Sequence, residues 1–218
     1  MFYLTDSYVR GELKAISLIA YNTVNNDKQL NELYGRMKMD KSVFIHSTNV
    51  AILSCAIGIS YSLSNEELVD LYLGALFHDI GKIEISKSVL NKKGPLTMLE
   101  RQYMETHPIK GHRLCSETSL SKASLDIIRN HHEKLTGVGY PDHFPENKIP
   151  LLVQIATVAD MFEAMQADRC YRKALAIEEI ERILKKDKGI NQIAVRILMQ
   201  SITTRKNTTS NDSVLIYA

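Results

Sequence analysis

The sequence predicts an all-α helical bundle, and three features predict it. Apolar residues recur at steps of three and four along most of the 218 residues. Two capping boxes, Ser64-Asn-Glu-Glu67 and Thr97-Met-Leu-Glu100, mark helix starts, because each pairs a hydroxyl with a carboxylate three residues on. Strand-like alternation is missing everywhere except in the last residues, SVLIYA.

Taken in order, residues 1–40 read as one or two helices of an N-terminal layer, serving either regulation or a homodimer surface. Val43, His46, Val50, Leu53 and Ile57 then trace one inner helix face. Ser64 starts the next helix, with Leu68, Leu71, Ala75 and His78 inward, and Gly81 follows as a helix end requires. Residues 83–96 carry Lys and Gly-Pro and read as a long loop before the helix that Thr97 caps. Residues 134–148, KLTGVGYPDHFPENK, hold two Gly, two Pro and no helical period, and a long loop of this kind inside a compact domain is often functional. Val153, Ala156, Asp160, Ala164 and Ala167 give another inner stripe, and residues 203–213 read as a polar, flexible linker. The expected division is an N-terminal helical segment over 1–40, a catalytic domain over 41–202 and a flexible tail over 203–218.

Composition narrows the function. With 44% hydrophobic residues the chain can bury a sizeable core. Its 27 Lys and Arg against 25 Asp and Glu leave a net charge of only +2, which argues against a dedicated binder of nucleic-acid polymers or membrane surfaces. Cys55, Cys115 and Cys170 are odd in number, far apart and outside any CxxC pair, as in a cytoplasmic protein with reduced thiols. No secretory signal opens the chain, and its least polar stretch, NVAILSCAIGISYSL, is too short to span a bilayer.

His46, His78 and Asp160 fall on apolar inner faces, and Asp79 adjoins His78. Such groups are costly there unless a hydrogen bond or a metal compensates them. Two further clusters, Thr106-His107-Pro108 and His131-His132-Glu133, bring the set to seven nitrogen or oxygen ligands with no cysteine. That chemistry suits iron, manganese, cobalt, nickel or zinc. Seven ligands are too many for one open metal site, but they suit two divalent ions sharing a carboxylate bridge, for which Asp79 is the natural choice. Adjacent helical residues point about 100° apart, so the pairs 78–79 and 131–132 must sit at helix ends to serve one site.

The ordered set His46, His78-Asp79-Ile-Gly-Lys82, Thr-His107-Pro, His131-His132-Glu133, Gly137-Val-Gly139-Tyr140-Pro141 and Asp160 resembles the HD-GYP subgroup of the HD-domain phosphohydrolases, over roughly residues 40–185. The resemblance implies an all-α HD-domain-like bundle that hydrolyses cyclic di-GMP to pGpG or GMP at a metal centre, with iron or manganese first among the candidate ions. It implies one metal on His46, His78, Asp79 and Asp160 and another on Asp79, His107, His131 and His132. Ser42 stands where relatives with a third metal carry Glu, so the centre is expected to hold two.

By the same resemblance Lys82, Arg169 and Arg172 bind the phosphates and base of the ligand. Gly137, Gly139, Tyr140 and Pro141 form the loop associated with contact to diguanylate cyclase (GGDEF) domains. A tight turn over the site accounts for that loop equally well. The chain departs from the pattern at Thr136, where Asp is usual, which puts the partner contact in question, and at Glu163, where Asp is more common. His112 and His143 match no ligand position. Three other readings stay open: a phosphodiesterase for another cyclic dinucleotide such as cyclic GMP-AMP, a signalling adaptor that binds nucleotide or cyclase without turnover, and an HD-domain hydrolase of other nucleotides, against which the loop at Gly139-Tyr140-Pro141 counts.

Overall fold

The structure, a computed structural model, describes residues 2–4, 7–145, 148–167 and 173–204. Among these its regular secondary structure is helical except for one two-stranded ribbon. The helices are α1 (Ser7–Asn26), α2 (Lys28–Lys38), α3 (Lys41–Ser60), α4 (Asn65–Phe77), α5 (Lys87–Leu90), α6 (Met98–Met104), α7 (His107–Cys115), α8 (Lys122–Asn130), α9 (Leu151–Gln166), α10 (Ile177–Lys186) and α11 (Gln192–Ser201). A short 3-10 helix, Ile80–Glu84, follows α4.

Local chemistry sets the helix starts. Both capping boxes form: Ser64 and Thr97 each accept from the backbone three residues on, and Glu67 and Glu100 return the bond. Asp27, Asp40 and Ser121 cap α2, α3 and α8 with side-chain acceptors, which satisfy amides that the first helical turn leaves unpaired.

Helix α3 runs through the centre, packed against α1, α2, α4, α9 and α11. The expectation that this apolar stretch is too short to span a bilayer is corrected: the full helix is long and apolar enough to cross a membrane by length and composition, yet 61% of its most apolar window lies inside the protein, as befits a central core helix. The inner faces expected from sequence are buried at His46, Val50, Leu53 and Ile57 of α3, at Leu68, Leu71 and Ala75 of α4, and at Val153, Ala156 and Asp160 of α9. Ala164 and Ala167 are only half-buried, since α9 ends at Gln166. Helices α1 and α2 contribute Val9, Leu13, Ile16, Ala20, Val24, Leu30, Leu33 and Met37 to the same buried cluster. Asp27 caps α2 and also accepts from the Ser119 amide at 2.6 Å, tying this layer to the α7–α8 connection.

Two expectations need correction. Residues 83–96 are not a plain loop, because the 3-10 helix runs to Glu84 and α5 adds a helical turn. Polar spacing there hid a helix too short to show a period. Ile202–Thr204 form β2, antiparallel to β1 (Phe2–Leu4) with Phe2 opposite Thr204. The strand expected near SVLIYA, the tail from 205 on, and Arg169, Cys170 and Arg172 lie outside the described residues.

Candidate metal centre

The site forms where helices end. His78 is the C-cap of α4, and Asp79 leads into the 3-10 helix. His131 is the C-cap of α8, so adjacent residues escape the helical turn that would point them apart, as the sequence required. His107 opens α7, where Pro108 suits the first turn. Gly81 brings these segments together: a Cβ there would stand 2.0 Å from the His107 carbonyl oxygen, so only glycine lets the 3-10 helix lie on α7. His46 comes from α3 and Asp160 from α9.

The side chains converge on Asp79, which is almost fully buried. Its Oδ2 faces His46 Nε2 at 3.5 Å and His78 Nε2 at 3.4 Å, and Asp160 Oδ1 lies 3.1 Å from His46 Nε2 and 3.8 Å from His78 Nε2. Its Oδ1 faces the other way, 3.2 Å from His107 Nε2 and 4.0 Å from His131 Nε2. His107, His131 and His132 form one compact group of potential ligand atoms, and His46, His78 and Asp79 form a second. All seven predicted ligands thus meet around one carboxylate, with three on either side.

The hydrogen bonds define the imidazole tautomers. Nδ1 of His78 donates to the Ala75 carbonyl at 2.7 Å, Nδ1 of His107 to Met104 at 2.8 Å, and Nδ1 of His131 to Ile128 at 3.1 Å. A carbonyl has no proton to give, so each neutral ring turns a bare Nε2 inward. His107 Nε2 and His131 Nε2 then face each other at 3.3 Å as two acceptors. Among the described residues, His78 Nε2 and Asp79 Oδ1 are buried without a hydrogen-bond partner. Ligands about 2.1 Å from a shared cation stand about 3.0–3.4 Å apart, a spacing met by His46 with Asp160, His78 with Asp79, His107 with Asp79 and His107 with His131, while His78 to Asp160 and His131 to Asp79 are longer.

Electrostatics point the same way. Burial and the neighbouring His132, His78 and His107 hold His131 well below its ordinary range. Burial and His107 push His132 down to about 3, so both rings are neutral at neutral pH. Burial would also lower His46, but the carboxylates of Asp160, Glu163 and Asp79 outweigh it and raise it to about 9. Burial opposes ionisation of Asp79 and Asp160. Lys82 overcomes this at Asp79, and the hydrogen bond from His46 overcomes it at Asp160, so both stay ionised.

Lys82 reaches the cluster with Nζ 2.5 Å from Asp79 Oδ2 and a partly exposed side chain. Gly137 has φ +76°, which glycine tolerates, and Tyr140 stacks on His132. Pro141 follows at the half-buried end of the loop. Ser42 is exposed on α3, His143 is exposed, and neither His112 nor His143 joins the two groups.

Three supporting residues were not legible as such in the sequence. Glu163 Oε2 contacts His46 Nδ1, and its Oε1 accepts from Asn49 at 3.1 Å. Glu163 is one turn beyond Asp160, and Asn49 one turn beyond His46, so their spacing was a signal available in principle. Glu133 accepts from the amides of Asp142, His143 and Phe144. Nothing local announces that a residue after two histidines anchors a loop ten positions on.

Comparison with known proteins shows the family and the fold. The profile of a family described as HD domain matches residues 29–191. The chain is 32% identical over 156 residues to 3'3'-cGAMP-specific phosphodiesterase 3 of Vibrio cholerae, covering 71% of this chain and 34% of the relative. It is 30% identical over 167 residues to a cyclic di-GMP phosphodiesterase of Pseudomonas aeruginosa, covering 76% of this chain and 40% of that one. The chain therefore spans well under half the length of these relatives. Among solved structures, an HDG"Y"P protein from Bdellovibrio bacteriovorus aligns with a TM-score of 0.60 at 21% identity, covering 71% of this chain and 50% of that one. The HD domain of the Listeria monocytogenes phosphodiesterase PgpH in complex with cyclic-di-AMP aligns with a TM-score of 0.57 at 18% identity, covering 78% and 92%. At these identities the structural matches show the fold alone.

Proposed function

The chain belongs to the HD-domain family, and from that premise we propose that it is a metal-dependent phosphodiesterase that hydrolyses cyclic di-GMP to pGpG or GMP. The observation that carries this reading is Asp79, whose two carboxylate oxygens face two separate groups of imidazoles. His46, His78 and Asp160 would hold one divalent ion with Asp79, and His107, His131 and His132 the other. Iron or manganese suits this nitrogen and oxygen set best. When bound, such a pair supplies a water of lowered pKa and neutralises charge on the phosphoryl group.

The chain's own residues do the rest. Three Nδ1 hydrogens held by backbone carbonyls keep the Nε2 lone pairs aimed into the site. Lys82, with its ammonium at the rim, meets a phosphate oxygen of the substrate. Arg169 and Arg172 complete phosphate and base contacts in the proposal, on the strength of sequence alone. Val138, 79% exposed at the loop tip, leaves the outer face of residues 136–141 open to a diguanylate cyclase domain. Buried, unpaired Cys55 and Cys115 agree with a cytoplasmic protein.

Relatives named for cyclic di-GMP and for cGAMP both match at about 30% identity, so cyclic GMP-AMP is the second substrate to test. Purified protein with Mn²⁺ or Fe²⁺ is incubated with each dinucleotide and the products are separated by chromatography. Linear product from cyclic di-GMP is the expected result. Product from cyclic GMP-AMP alone moves the assignment to that substrate. Tight binding without product from either sinks the enzymatic reading in favour of an adaptor. Asp79→Ala should remove both metals and all turnover while leaving helical content near wild type by circular dichroism.

A further inference from the structure

One of the five clustered imidazoles is held differently from the rest. His78, His107 and His131 are fixed through Nδ1 by backbone carbonyls, and His46 is fixed through Nδ1 by Glu163. Among the described residues no hydrogen bond reaches the ring of His132. What lies against that ring is Tyr140, at 4.7 Å between centroids and an interplanar angle of 27°, an offset-stacked arrangement. The far face of the constraint is His131, whose ring centroid is 4.1 Å from that of His132.

Tyr140 is itself held in place from several sides. Its amide donates to the His132 carbonyl at 3.3 Å. The preceding Gly139 is pressed on the chain so closely that a Cβ would stand 2.4 Å from Glu133 Cα and from Lys134 N. Beyond Pro141, the buried Glu133 carboxylate gathers the amides of Asp142 at 2.6 Å, His143 at 3.0 Å and Phe144 at 3.2 Å. Arg129 of α8 adds two bonds of 2.7 Å to the Asp142 carboxylate. Both ends of the Tyr140 turn are therefore moored to the helix end that carries His131 and His132. The Tyr140 hydroxyl makes no hydrogen bond among the described residues, so the ring face is the part in use.

We propose that Tyr140 is a positioning residue for His132: its ring, moored through Glu133, takes the place of the Nδ1 hydrogen bond that orients the other four imidazoles toward the metal centre. The loop is then a built part of the His107–His131–His132 ligand group. This inference rests on the two-metal reading above, and the test separates the two.

Full-length protein is stripped with chelator and titrated with Mn²⁺ alone, following heat and bound metal, with no substrate present. Wild type is expected to take up two equivalents; fewer than two overturns the two-metal reading and this inference with it. Tyr140→Phe keeps the ring and should titrate as wild type. Tyr140→Leu keeps bulk but no stacking face and should weaken one equivalent about tenfold or more, the effect typical of losing an orienting partner, with the other equivalent unchanged. Two unchanged equivalents in Tyr140→Leu overturn the inference, as does equal weakening of both. Should Tyr140→Leu fail to fold, Glu133→Gln leaves the ring in place but puts an amide donor against the loop amides. It must then weaken that same single equivalent, and a wild-type titration in it overturns the inference.

Discussion

His46 is the imidazole whose surroundings are most acidic, with Asp160 Oδ1 at 3.1 Å from Nε2 and Glu163 against Nδ1. In the metal-free protein these carboxylates hold a proton on the His46 ring. Its folded pKa of about 9 lies above the ordinary 6.5, so the proton stabilises the folded state fully below about pH 6.5, and this contribution is lost as pH rises through 9. His132, pushed to about 3, acts in the opposite sense: its contribution is present above pH 6.5 and is lost as pH falls toward 3. Urea unfolding of chelator-treated protein should therefore lose up to about 1.4 kcal/mol per pH unit between 6.5 and 9 on account of His46, and His46→Gln should flatten that slope. Because metal binding must displace this proton, Mn²⁺ affinity should rise over the same interval, as titration in buffers of increasing pH would record. Gly81→Ala is a second residue-scale test. A methyl 2.0 Å from the His107 carbonyl must part the 3-10 helix from α7, so metal uptake at His107 should fall together with the melting temperature.

At the scale of the element, the site is a product of helix periodicity. His46 and Asn49 on α3 interlock with Asp160 and Glu163 on α9, each pair one turn apart, so two helix stripes make three contacts that a slip of either helix would break. The neighbouring Phe162 is fully buried on α9. Phe162→Ala should cost about 3–5 kcal/mol in chemical denaturation and loosen metal binding at His46 as well. The periodicity also explains what could be read in advance. Stripes on α3, α4 and α9, both capping boxes and the helix-end positions of 78–79 and 131–132 follow from three- and four-residue spacing, which is local. The mooring of residues 142–144 to Glu133 and the bond from Asn49 to Glu163 were hidden because they depend on loop geometry or on the approach of segments more than a hundred residues apart. A single-turn helix such as α5 is too short for any period to show.

At the scale of the molecule, α3 carries both the core and one ligand, and segments from α4, α7, α8 and α9 meet at the same carboxylate. Cations bound there favour the folded chain over the unfolded one. At a free concentration a hundred times the dissociation constant, each bound Mn²⁺ should add about 2.7 kcal/mol, or roughly 5–10 °C in a thermal melt, relative to chelator-treated protein. Asp79→Ala should show none of this shift.

The ribbon of Phe2–Leu4 with Ile202–Thr204 has its own consequence. Entry and exit of the described chain lie side by side, a strand's width apart. Such a body can be spliced as a cassette into a surface turn of a host protein without stretching either junction. Equally, in a chain cut to residues 2–204, new ends could be opened near Lys93 and the old ones joined by a few residues, and the rearranged chain should still fold and take up manganese.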